Sequence, residues 1–164
     1  MSAVRTAKIF LVGSVGLFGL LTGLDNIIDY RTNFEVVRHV LSMDAVPADS
    51  VLKWRAITSP AIQALVYWVI IALELLYASL CLLGALRLIG ARTAPGARFH
   101  SAKDVAIAGL AIAFALFFFC FLVIGGEWFQ MWQAGPWNMQ QPAFRFLGSI
   151  GLVLVFVTLP DGDL

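Results

Sequence analysis

Four long apolar stretches, separated by charged or Gly/Pro-marked connections, dominate this chain of 164 residues. A helix needs roughly 20 apolar residues to cross the hydrocarbon of a bilayer. Four crossings therefore consume most of the length and leave little for a separate catalytic domain. The expected fold class is an all-α membrane protein: four transmembrane helices, with short amphipathic helices in the first non-cytoplasmic loop, forming one domain over residues 1–164. Apolar residues are 60% of the chain and charged residues 13%, with a mean hydropathy of +0.88. A soluble domain carries roughly 25% charged residues, so polar surface is too scarce here for a globule in water. The net charge of +1 gives no basic field for nucleic acid. Cys81 and Cys120 lie inside apolar runs without ligand spacing and read as small hydrophobes.

The spans are expected at about 7–28, 60–87, 103–126 and 143–160. In the first, Lys8 is placed to snorkel to the inner surface and Asp25 marks the outer edge. No small-x-small cleavage site precedes Asp25, which favours a retained helix over a signal peptide. Gly16, Gly19 and Gly23 share one face, the last two as a GxxxG pair that lets another helix backbone approach closely. Ser59 and Pro60 open the second span as a cap followed by a residue with no N–H. Ser101 and Asp104 form a capping box before the third, and Gly125 and Gly126 end it. The fourth has a short apolar run, Phe146 to Leu159, and becomes a full crossing when Pro142 to Arg145 are included.

Orientation follows the Lys/Arg distribution. Arg5 and Lys8 precede the first span. Arg87, Arg92, Arg98 and Lys103 lie between the second and third. The connection before the fourth holds only Arg145, at its edge. These place both termini and the middle connection in the cytoplasm. The first connection, with Arg31, Arg38, Lys53 and Arg55, runs against that trend.

The first outer connection carries a T-x-x-E capping box, Thr32 and Glu35. Val36, Val37, Val40 and Leu41 then fall on one side, with Glu35, Arg38, His39 and Ser42 on the other. This predicts a short amphipathic helix on the membrane surface or on the bundle. A second short helix is expected from about Ala48 to Ala56. Trp54, together with Trp128, Phe129, Trp132 and Trp137 of the second outer connection, makes an aromatic surface. It reads as a belt at headgroup level or as a docking surface for a partner subunit, lipid or quinone. Met131 and Met139, with no His or Cys beside them, are a weak basis for copper.

The segments NFEVVRHVLSMD (Asn33 to Asp44), WRAI (Trp54 to Ile57), GGEWFQMWQ (Gly125 to Gln133) and WN (Trp137, Asn138) resemble the bacterial predicted small integral membrane proteins grouped as a domain of unknown function. The resemblance covers nearly the whole chain. It implies four spans with two structured outer loops, and it brings no catalytic residues.

Two sets of charges need partners. Glu74 lies near the centre of the second span, where an ionisable group costs several kcal/mol. Tyr67, Tyr77 and Cys81 share its helical face. The expectation is a carboxyl that faces protein and glues helices; a proton-relay role or a contact with a larger subunit are the functional alternatives. Asp25 and Asp29 lie near the outer surface with Arg145, and an ion pair between them would close the first helix onto the last. His39, Glu35 and Asp44 read as a solvated helix surface rather than a metal site. No nucleotide-binding, hydrolase, zinc or haem motif is present, so no cofactor and no enzyme activity are expected. The resulting expectation is an accessory or stabilising subunit of a larger inner-membrane complex, of respiratory or other redox type. Its partners are the bilayer and other membrane subunits or further copies of itself. The alternatives are a small transporter or channel component using Glu74 as a coupling carboxylate, and a quinone- or lipid-binding membrane protein.

Overall fold

The structure, a computed structural model, describes residues 2–162. Helix α1 (Ala3–Ile28) runs into α2 (Tyr30–Ser42) through Asp29. After a looped connector come α3 (Pro60–Gly90), the short α4 (Gly96–Ser101), α5 (Asp104–Ala115) and α6 (Gln140–Thr158). Between α5 and α6, residues Leu116–Trp128 continue the third crossing as a π-helix. Four helical stretches are long and apolar enough to cross a membrane: Ala3–Ile28, Pro60–Gly90, Gly96–Trp128 and Gly135–Thr158.

The crossings form an up-down bundle in which α1 packs on α3, α3 on α5, and α5 with the π segment on α6. Helix α6 closes back on α1. The α1–α3 contact is close because α1 presents glycines to it. A Cβ on Gly16 would lie 2.9 Å from Leu82, and one on Gly19 would overlap the Tyr77 ring. On the other face of α3, Gly84 takes the backbone of Ala106 in the same way.

Helix α1 starts at Ala3, ahead of the expected 7. Ser2 caps it, its hydroxyl accepting from the Arg5 N–H at 3.4 Å. The charged first turn does not have to reach water, because its cations have partners inside the protein. Lys8 does not snorkel: it is buried, donating to the Leu159 carbonyl at 2.7 Å and to the Asp161 carboxylate at 3.1 Å. Lys103 donates to the same carbonyl and the same carboxylate. Arg5 donates to the carbonyls of Ala94 (2.6 Å) and Gly162 (2.9 Å), with its guanidinium 4.7 Å from the Phe99 ring centroid. The segment after α6 is thereby tied to the start of α1 and to the α3–α5 connection, all at one end of the bundle. Helix α6 stops at Thr158 rather than at 160, because Leu159 precedes Pro160 and is extended; its carbonyl is then free to accept from Lys8 and Lys103.

Neither expected capping box forms. Thr32 donates to the Asp29 carboxylate inside a helix that has already begun at Tyr30. The Ser101 hydroxyl donates to the Ala97 carbonyl. Gly125 and Gly126 do not end the third crossing, which π-type bonding carries to Trp128; the Phe129 N–H reaches the Ile124 carbonyl at 3.0 Å. The stretch Ala48 to Ala56 is turns and a three-residue 3-10 helix, Lys53–Arg55.

Burial opposes the charge on Asp161, but the hydrogen bonds and positive charges of Lys103 and Lys8 outweigh it and hold this carboxyl below the ordinary aspartate range. A depressed folded-state value stabilises above the unfolded value of about 3.9 and is lost as pH falls through the lower folded one. Thermal unfolding in detergent is expected to show this acid-dependent loss in the wild type. Asp161→Asn, which strands two buried ammonium groups, is expected to lose about 3–5 kcal/mol at neutral pH. Gly19→Ala overpacks the α1–α3 contact and is expected to lose about 1–3 kcal/mol. Gly13→Ala, where the nearest atom is Ala85 Cβ at 3.8 Å, is expected to be neutral in the same assay.

Candidate ligand site under the amphipathic helix

The glycine face of α1 ends one turn below Asn26, which the same periodicity turns into the bundle. Opposite it on α3 lies Glu74, 3% exposed. The Asn26 amide donates to Glu74 Oε2 at 2.7 Å, and the Asn33 amide of α2 donates to Asn26 Oδ1 at 2.6 Å. Tyr67 is buried and donates its hydroxyl to the Asn26 main-chain carbonyl at 3.3 Å. Three elements therefore meet in one directed chain of hydrogen bonds that ends on one oxygen of Glu74. Among the described residues, Glu74 Oε1 has no partner, and the buried Tyr77 hydroxyl has none either.

Helix α2 lies over this region with its apolar side inward. Val40 and Leu41 are buried with Met43, Val46, Phe129 and Met131 in a second small core. The chain doubles back beneath α2, where the Ile57 N–H donates to the Leu41 carbonyl at 2.7 Å. Two cavities of about 280 Å³ each remain under the helix. The first is walled by aliphatic and aromatic side chains of α2, α3 and the π segment, among them Leu65, Ile124 and Phe129. The second holds Glu74, Asn26, Asn33 and Tyr67, with Phe117 and Phe146 in its wall. Val36, Val37, Ile70 and Phe121 line both, so the two cavities adjoin. Phe117 and Phe121 of the π segment both line the second cavity, and Phe117 also packs its ring on Phe18 of α1 and Phe146 of α6.

The aromatic residues divide. Phe129 is buried against the first cavity rather than displayed. Trp54 and Trp132 are 71% and 53% exposed. Trp128 pairs edge-on with Trp54, and Arg55 joins the two connectors at the end opposite the termini: its guanidinium lies 4.4 Å from the Trp128 ring centroid and donates to the Trp128 carbonyl at 3.2 Å. Trp137 stacks on His39 at 4.0 Å. His39 in turn bonds Asp44 at 2.8 Å. Burial opposes the charge on Asp44, but that bond and the nearby Arg38 hold its carboxyl below the ordinary range. Among the described residues no group of three His, Cys, Asp or Glu is placed to hold a metal ion.

The Asp25 or Asp29 pair with Arg145 does not form. All three side chains are exposed, and among the described residues no carboxylate comes within ion-pair distance of Arg145. On α1 it is Asn26, not Asp25, that shares the buried face with Gly19 and Gly23. Asn26 and Asn33 were the site residues the sequence reading missed. Continuing the glycine spacing by three residues beyond Gly23 leads to the first; the second lies on α2, beyond the break at Asp29, where the spacing of α1 no longer applies.

Four apolar crossings around a buried polar centre define an integral membrane protein with a lateral helix over the half remote from its termini. The chain belongs to the family of predicted small integral membrane proteins known as DUF2165, whose model matches residues 4–160. No curated protein and no solved structure matches it.

Asn26→Leu leaves Glu74 unpartnered and is expected to lose about 1–3 kcal/mol in detergent unfolding. Arg145→Gln is expected to stay within about 0.5 kcal/mol of wild type.

Proposed function

We propose that this protein is a non-enzymatic membrane protein that binds a lipid-like amphiphile beneath α2. The apolar part occupies the first cavity and the polar end reaches the second. The observation that carries this reading is the adjacency of the two cavities, one apolar and one ending on a buried carboxyl with a free oxygen. Pockets of this class are mostly apolar with a few converging polar groups. The two share four lining residues, of which Val36 and Val37 belong to α2, a helix outside the bundle proper. A long ligand therefore needs only local displacement to occupy both.

The same reading places the protein in a bacterial inner membrane with both termini cytoplasmic. The end that holds the termini also carries Arg87, Arg92 and Arg98, in keeping with the excess of Lys/Arg on cytoplasmic loops. A second reading, an accessory subunit of a larger complex, draws on the exposed Trp54 and Trp132 beside the Arg55 contact. Aromatic and Arg side chains are common anchors at interfaces.

Native mass spectrometry after mild-detergent purification tests both. Wild type is expected to carry one amphiphile per chain, and Val37→Trp, which fills the partition, is expected to lose it. Wild type that is free of any bound amphiphile would count against the ligand reading. A stoichiometric large membrane subunit would favour the second.

A further inference from the structure

The wall of the second cavity contains one carboxyl, several aromatic rings and no Lys, Arg or His. We infer from it that the polar end of the ligand is an organic ammonium, so that the site takes a lipophilic amine. This rests on the reading that the cavities hold a ligand, and it specifies that ligand's charge.

The hydrogen-bond chain sets the argument. Asn33 donates to Asn26, and Asn26 donates to Glu74 at Oε2. No protein donor reaches Oε1 among the described residues, although the side chain is almost wholly buried. An oxygen with unused lone pairs, aimed at a cavity, is complementary to an N–H donor. The surrounding rings add to this. Tyr67, Phe117, Phe121 and Phe146 line the same space, and aromatic faces attract a cation within about 6 Å of their centroids. Phosphate or carboxylate head groups would instead face Glu74 with no cation in the wall to offset them. A quinone carbonyl would gain nothing from the ring quadrupoles. The adjoining cavity supplies the apolar volume for an alkyl chain, and its wall is almost free of polar atoms.

The test uses the full chain in lipid nanodiscs, titrated by tryptophan fluorescence with n-dodecylamine and n-dodecanol, with empty nanodiscs correcting for partition. Saturable binding of the amine is expected to be at least about tenfold tighter than that of the alcohol, a difference of about 1.4 kcal/mol. Glu74→Gln is expected to abolish the preference, bringing the two affinities to within about twofold of each other. Phe146→Leu keeps the carboxyl chain intact and removes one ring of the wall; it is expected to weaken the amine several-fold more than the alcohol. This variant decides the matter if Glu74→Gln fails to fold. Equal binding of the two probes to wild type would overturn the ammonium inference and leave the cavity reading standing, as would a preference untouched by either variant. Absence of saturable binding by both probes would remove the two readings together.

Discussion

Hydrocarbon accepts no hydrogen bonds, and the contact between Asn26 and Glu74 is where this protein answers that constraint most directly. A carboxyl within an apolar span is tolerable only against protein and only with donors, and the partner it finds is Asn26, close to the end of α1 rather than at its middle. The donor sits on α1, so α1 has to lie close against α3. The glycines of α1 permit that approach, with Gly19 making room for the Tyr77 ring and Gly23 lying beside Leu75 and Glu74. Asn33 then draws α2 down onto the same centre. Packing, polarity and the position of the lateral helix follow from one buried pair.

The two ends of the bundle are secured by different chemistry. At the end that holds the termini, buried Arg5, Lys8 and Lys103 converge on the chain after α6, on backbone carbonyls and on Asp161. Hydrogen bonds to ionised groups are stronger than neutral ones, and this tie joins segments far apart in sequence. At the other end the connectors meet through ring faces, Trp137 on His39 and Arg55 on Trp128. These contacts are more exposed. The apolar cavities lie beneath this end, and the charge-locked end is remote from them.

The crossings were legible because a 3.6-residue helix in lipid demands a long apolar run, and the runs are plain. The amphipathic face of α2 was legible for the same reason: Val40 and Leu41 turn inward as their spacing requires. Helix starts were less so. Thr32 and Ser101 have capping chemistry, but Asp29 and Lys103 occupy the actual N-cap positions. The charges at the edges of the first and last spans invited an Asp25–Arg145 bridge by depth alone. Depth says nothing about rotation around the helix axis, and rotation puts Asp25 outside and Asn26 inside. The π-helical register of Leu116–Trp128 has no reliable local signal in a run of Phe, Leu and Val.

By itself, the amino-acid sequence determined the solvent, the number of crossings, the inward face of the lateral helix and the anomaly of a carboxyl inside an apolar run. Each follows from local periodicity and from the free energy of moving a side chain out of water. Only the tertiary structure decided what Glu74 meets, that Lys8 and Lys103 share Asp161, and that two cavities lie side by side under α2. Those outcomes depend on how each helix is rotated against its neighbours, a quantity set by many small packing contacts acting together and encoded in no single segment.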